Sequence, residues 1–206
     1  MSLYRFAVGL LGPVLRLVWQ PEVRGKEKIP TDRGGILVCN HLKWWDPLLL
    51  AVVLPKNTLH FMSKVELFQN RFVGWLLRQL NCIPVDRKRA DLPAVKASIR
   101  TVNDGGILGV FPEGTRSRTG ELLHFEEGTA FFALKCSCPI YPAHIDVQRS
   151  RGKRMVTFGD PIDASQIGPE LQRSERMTLI TEKMREEILV LAAEQKADRS
   201  AREKRR

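Results

Sequence analysis

The 206-residue sequence contains only four cysteines, Cys39, Cys82, Cys136 and Cys138. None forms a C-x-x-C pair or a zinc-holding spacing, so a disulfide framework and a structural zinc site are both excluded, and reduced thiols in a reducing compartment fit best. Aromatic residues make up 7% and mean hydropathy is -0.20, which excludes a polytopic membrane protein. The sequence also lacks G-x-S-x-G, G-x-x-x-x-G-K-[ST], G-x-G-x-x-G and H-E-x-x-H, and esterase, NTPase, dinucleotide-binding and zincin readings lose their main support with them. No metal or bound cofactor is expected, and no internal repeat or interdomain linker is visible. What is present is ordinary for one globular domain: 43% hydrophobic and 27% charged residues. Lysine and arginine number 33 against 23 acidic residues, a net charge of +10. That excess attracts nucleic acid, an acidic lipid surface, an acidic carrier protein or a phosphorylated substrate alike, and charge alone does not choose among them.

Residues 1–20 form a separate apolar segment. Its uncharged run, Phe6 to Leu15, is ten residues, half of the ~20 that a spanning helix needs. The following Arg-Leu-Val-Trp-Gln-Pro has no small-x-small cleavage signature, so removal as a secretory signal is not expected. On a helical wheel Arg5, Gly9, Gly12 and Arg16 share one face, and Leu3, Phe6, Leu10, Val14 and Leu17 another. The pattern suits a helix lying in a membrane interface, with the arginines at phosphate level, Trp19 at headgroup depth and Pro13 introducing a kink. The alternative is a helix packed on the protein's own core.

Residues 21–196 alternate short apolar runs with helical patterns, which predicts a single α/β domain with a mostly parallel mixed sheet flanked by helices. Strands are expected at Gly35–Cys39, Thr58–Ser63, Cys82–Asp86, Ile107–Phe111, Pro139–Ile145 and Met155–Phe158. Asp46-Pro47 reads as N-cap and first-turn proline of a helix ending before Pro55, and Asp91 as the cap of Leu92–Asn103, stopped by Gly105-Gly106. Thr129 can cap a short helix to Cys136. A long helix over about Glu170 to Lys196 carries Met177, Ile180, Met184, Ile188 and Leu191 at three- and four-residue steps. Residues 197–206 read as a basic tail, frayed or surface-bound.

Asn40-His41-Leu42-Lys43-Trp44-Trp45-Asp46 follows a buried-looking strand and precedes a helix, in the kind of loop that borders the ligand crevice of an open α/β sheet. If the turn folds Asp46 back onto His41, the carboxylate fixes the ring tautomer and the other ring nitrogen accepts a proton, giving a general-base dyad. From residue types alone, Asp46 is most simply a helix cap and His41 a loop residue. No serine or cysteine nucleophile belongs to the segment, which favours direct attack by a substrate hydroxyl. A second cluster, Phe111-Pro112-Glu113-Gly114-Thr115-Arg116-Ser117-Arg118, also follows a strand and offers hydroxyls, backbone N–H groups and guanidiniums suited to phosphate. Cys82 to Arg87 ends a third strand in cations. His144 and Asp146 share a strand face as a competing dyad, with packing as the alternative.

At these residues the sequence resembles the glycerolipid acyltransferases of the 1-acylglycerol-3-phosphate acyltransferase family. Asn40-His41 with Asp46 resembles the first motif, N-H-x4-D, and Ile83 to Arg87 the second. Phe111 to Ser117 matches the third, F-P-E-G-T-R-S, and Ile140-Tyr141-Pro142 resembles the proline-containing fourth. Order and spacing agree from about Val23 to Phe158. The sequence departs from the pattern at Lys43, where many members have Ser, at Asn81, where Gly often stands, and at Glu126-Glu127-Gly128, where a Lys is expected.

The resemblance implies that His41 is the base and Asp46 its orienting partner, that Arg87, Glu113, Gly114, Thr115 and Arg116 hold the acceptor phosphate and glycerol, and that Pro142 shapes the acyl side. The implied reaction moves a fatty acyl group from a thioester, acyl-CoA or acyl-carrier protein, to the sn-2 hydroxyl of lysophosphatidic acid at the cytoplasmic face of an anionic membrane. Glycerol-3-phosphate is the rival acceptor, since the same motifs serve both. A basic nucleic-acid or membrane-binding module without catalysis explains the charge but leaves F-P-E-G-T-R-S unexplained, and no nucleic-acid partner is expected.

Overall fold

A computed structural model describes residues 3–146 and 154–204. Seven strands, β1 (Glu22–Arg24), β2 (Gly35–Cys39), β3 (Leu59–Lys64), β4 (Cys82–Val85), β5 (Ile107–Val110), β6 (Ile140–Asp146) and β7 (Met155–Phe158), form one sheet in the order β1-β7-β6-β2-β5-β3-β4. All pairings are parallel except that of β6 with β7. The central strand β2, Gly-Ile-Leu-Val-Cys, is buried along its whole length, as expected of a parallel strand covered on both faces. Its alternating side chains feed two cores. Leu37 and Cys39 pack with Leu49, Leu50, Tyr141 and Phe158, and Ile36 and Val38 pack with Phe132, Ile180, Met184 and Ile188. The predicted strands are all found, with ends that match or differ by one residue.

Among the described residues six α-helices flank the sheet: α1 (Leu3–Trp19), α2 (Asp46–Val53), α3 (Arg71–Gln79), α4 (Leu92–Asn103), α5 (Gly128–Cys136) and α6 (Arg173–Lys204). Asp91 caps α4 as expected, its carboxylate accepting from the Ala94 N–H at 3.0 Å. Two expected caps are corrected. Asp46 is the first residue of α2, behind Trp45, and its side chain turns back into the preceding loop. Thr129 is buried inside α5, whose N-cap is Glu127.

The N-terminal helix differs from the sequence expectation in orientation. Helix α1 runs unbroken through Pro13, and its inward stripe is Tyr4, Val8, Gly12 and Trp19. The Tyr4 hydroxyl accepts from the Leu59 N–H at 3.2 Å. Arg16 donates to the Val52 carbonyl on α2 at 2.6 and 3.0 Å, so this guanidinium faces the protein and not a lipid phosphate. Trp19 packs against the core beneath the Arg154 guanidinium. The outward face is instead apolar: Phe6, Leu10, Leu11, Val14, Leu17 and Val18 are exposed. No helix among the described residues is long and apolar enough to cross a membrane.

Of the two readings of the basic tail, frayed or surface-bound, the described residues 197–204 follow the second, as a helix. Helix α6 continues to Lys204 because oppositely charged partners wait along its path: Arg199 pairs with Asp146, Arg202 with Glu22, and Asp198 with Arg24. Arg205 and Arg206 lie outside the described residues, as do Met1 and Ser2 at the other end.

His144 and Asp146 do not form a dyad. The His144 ring donates from Nδ1 to Gln195 Oε1 at 2.8 Å, and Gln195 Nε2 returns to the His144 carbonyl at 3.1 Å and to Thr157 Oγ1 at 2.7 Å, locking α6 onto the sheet. Burial pushes the imidazole below its ordinary value near 6.5, against smaller opposing pulls from Gln195 and Asp146. Burial does the same to His60. In the unfolded chain both groups protonate first, so their contribution to stability is full above about pH 6.5 and is lost as the pH falls through the lowered values. Urea unfolding at pH 7.5 and 5.5 should show lower stability at the acidic pH, and His144→Gln should make that difference smaller.

Candidate active site

The carboxyl ends of β2, β4, β5 and β6 lie along one edge of the sheet because these strands run the same way. Asn40 closes the end of β2. Its side-chain amide donates to the Ile145 carbonyl at 3.0 Å and its Oδ1 accepts from the Ile145 N–H at 2.7 Å, which extends the ladder to β6 through a side chain. The chain then leaves the sheet at His41. Asp46, fully buried, folds back beneath the loop: Oδ2 lies 2.9 Å from His41 Nδ1 and accepts from the N–H groups of Leu42 and Lys43, both at 2.7 Å. Three donors converging on one carboxylate oxygen fix both the turn and the ring. With Nδ1 holding the proton toward Asp46, Nε2 is the basic nitrogen.

An aromatic stack holds the imidazole from the side. Phe111 lies parallel to the His41 ring at 4.1 Å between centroids, and Phe61 lies parallel to Phe111 at 5.8 Å. Phe61 can take that place because β5 carries Gly109 beside it: a Cβ there would fall 2.3 Å from the Phe61 ring. Glu113 holds the backbone from above. Its Oε1 accepts from the His41 N–H at 2.7 Å and its Oε2 from the Leu123 N–H at 3.0 Å, while the Ser117 N–H donates to the His41 carbonyl at 2.8 Å. The Phe111 to Ser117 turn is thereby sewn to the His41 loop at both of that residue's backbone groups. Burial raises the Glu113 carboxyl above its ordinary range, partly offset by the two N–H donors.

The remaining predicted residues divide. Gly114 adopts φ +64°, a left-handed turn that a side chain would strain, and its carbonyl accepts from Arg87 Nη1, bringing the end of β4 to the same loop. Thr115 and Arg116 are exposed on the turn beside this junction. Pro142 is not part of the cluster. It lies on β6 in register with Val38 of β2, and its ring lies on the opposite face of the sheet, close to Gly159, where Leu191 of α6 also packs. Alternation along β6 puts residue 142 on the α6 side. Sequence reasoning missed the roles of Asn40, Phe61 and Gly109. The only signal for them was position on or just after neighbouring strands.

With this geometry in place, the comparisons decide the family. The acyltransferase family model matches residues 20–146. The chain belongs to the acyltransferase family. A 1-acyl-sn-glycerol-3-phosphate acyltransferase of Bacillus subtilis is 31% identical over 192 residues, covering 90% of this chain and 95% of its own. One of Streptococcus pneumoniae is 31% identical over 175 residues, covering 79% of this chain and 64% of its own. The crystal structure of the 1-acyl-sn-glycerophosphate acyltransferase of Thermotoga maritima superposes with a TM-score of 0.64 at 26% identity, over 88% of this chain and 78% of that one. In this acyltransferase the histidine, carboxylate and guanidiniums stand on one edge of a shared fold; Ser117 meets His41 through its backbone N–H, while its Oγ accepts from the Gly120 N–H at 3.1 Å. Cys39 is fully buried with its thiol held well above the usual range by that burial. The arrangement suits base-assisted attack by a bound hydroxyl.

Proposed function

We propose that the protein transfers a fatty acyl group from a thioester to the sn-2 hydroxyl of 1-acylglycerol-3-phosphate, forming phosphatidic acid. The observation that carries the proposal is the 2.9 Å contact of His41 Nδ1 with buried Asp46, set directly against the Phe111 to Ser117 turn. His41 Nε2 takes the hydroxyl proton as the oxygen attacks the thioester carbonyl. The new C–O bond forms, the C–S bond breaks, and the departing sulfur takes the proton from the imidazolium. Proton transfer by a positioned base supplies ~10²- to 10⁴-fold, and holding the two substrates together supplies much of the rest. Asp46 stabilises the charge that appears on the ring. Arg116 and Arg87 bind the acceptor phosphate, with Glu113 and Gly114 shaping the turn that carries them. No resident cofactor is needed: acyl-CoA or acyl-carrier protein arrives as a co-substrate, and both are acidic enough to suit a chain of net charge +10.

The exposed apolar face of α1 supports a peripheral position on a membrane, and the net charge of +10 an anionic one; the proposed side is the cytoplasmic. The test is product analysis with purified protein, acyl-CoA and acyl-carrier protein, offered lysophosphatidic acid or glycerol-3-phosphate. Phosphatidic acid from the first acceptor is expected, whereas preferential acylation of glycerol-3-phosphate overturns the acceptor assignment. Arg116→Ala should raise the KM for lysophosphatidic acid about tenfold or more and leave any slow acylation of unphosphorylated monoacylglycerol unchanged. An equal loss with both acceptors contradicts the phosphate role.

A further inference from the structure

Helix α3 is poorly accounted for by the packing of the domain. Its nine residues, Arg-Phe-Val-Gly-Trp-Leu-Leu-Arg-Gln, include five large apolar side chains, yet the only residue it buries is Gly74. That glycine lies against the Phe68 backbone so closely that a Cβ would fall 2.7 Å from the Phe68 carbonyl oxygen. Phe72 is 70% exposed and Trp75 51%, their rings 6.2 Å apart, and Val73, Val65 and Leu67 extend the same exposed apolar segment. A domain of this size does not leave an aromatic pair in water without a partner for it.

The position and charge of the patch select the partner. The connections from β2 to β3 and from β3 to β4 step the same way along the sheet, so right-handed crossovers put α2 and α3 on one face. Helix α1 packs on α2 on that same face and turns its own apolar side outward. Between residues 64 and 79, Lys64, Arg71 and Arg78 outnumber the single acid Glu66. Trp44, in the loop between His41 and Asp46, is 67% exposed as well. Paired Phe and Trp, flanked by cations, are the composition of a surface that lodges at lipid headgroup depth.

We infer that α3, through Phe72 and Trp75, is a second membrane contact that acts together with α1, so that the lipid surface is gripped by two elements of the same face. The choice of a bilayer as partner rests on the membrane reading of α1, but the measurement does not depend on any acyl acceptor. Vesicles of phosphatidylcholine with roughly one-third phosphatidylglycerol, a strongly anionic surface, serve as the probe. The full-length variant Phe72→Ser/Trp75→Ser should partition onto them about tenfold more weakly than wild type, with an unchanged thermal melt and unchanged turnover of a monomeric short-chain acceptor. Lipids brominated in the acyl chain should quench more of the wild-type tryptophan emission than that of Trp75→Phe, a readout that does not require the double variant to fold. Unchanged partitioning together with equal quenching overturns the inference. Unchanged partitioning with a raised KM for the acyl thioester assigns the patch to the donor instead, and loss of a wild-type dimer in sedimentation assigns it to a second copy of the chain. Either result overturns it too.

Discussion

Replacing His41 by alanine should give a folded protein whose turnover is at least a hundredfold below wild type. The expectation follows from how little else in the site can accept a proton. Asp46 is buried with three donors on Oδ2, and Glu113 spends both carboxylate oxygens on backbone N–H groups. Cys39 lies at the strand end, fully buried, and burial keeps its thiol protonated. Stability should change little. The substitution removes a stacked ring contact worth ~1 kcal/mol, while the His41 backbone stays tied through its N–H to Glu113 and through its carbonyl to the Ser117 N–H. Asp46 retains Leu42 and Lys43 as donors, so no orphan charge is created. Release of free thiol from the donor, followed beside thermal unfolding, checks both halves. Turnover within tenfold of wild type, in a protein that melts normally, removes His41 as the base.

The parts of this molecule that were legible in the sequence are those whose residues answer to a local rule. Asn81, which stands where the family it resembles often has Gly, has φ +60°, a conformation usual for glycine. Asp91 caps α4, the strands surface as short apolar runs, and the Phe111 to Ser117 turn is where a strand end puts it. The illegible parts depend on what lies across space. Helix α3 has a helical pattern with no core to meet it, so its apolar residues gave no burial signal. Strand β1, three residues long, exists because β7 arrives to pair with it. The basic tail is helical because Glu22, Arg24 and Asp146, remote in sequence, line its path. Pro142 carried a role by resemblance, but strand alternation directs it to α6. The dyad itself was half legible: five positions separate the two residues, and only the two backbone N–H groups between them explain why the carboxylate turns inward.

Those backbone donors make Asp46→Asn the more discriminating experiment. Asparagine has the volume of aspartate and keeps one oxygen, so the Leu42 and Lys43 N–H groups retain an acceptor and the loop should keep its shape. Two outcomes for the ring follow, and both are slow. If the amide oxygen stays where Oδ2 was, Nε2 remains basic but the imidazolium formed during attack loses the buried negative charge 2.9 Å away. If the amide nitrogen turns toward Nδ1 instead, it donates there, the ring proton moves to Nε2 and the base is lost, but the same nitrogen then faces the Leu42 and Lys43 N–H groups that shared Oδ2, so this orientation is the disfavoured one. Turnover should therefore fall ~10²- to 10⁴-fold with the acceptor KM nearly unchanged, because Arg87, Gly114 and Arg116 are untouched. Asp46→Ala should lose comparable activity and also melt lower, since each stranded N–H costs about 1–3 kcal/mol. The split between the two variants separates orientation of the base from support of the loop. A drop in kcat common to both, with stability lost only in the alanine variant, is the expected result; an asparagine variant that turns over at the wild-type rate would mean that the carboxylate serves the loop alone.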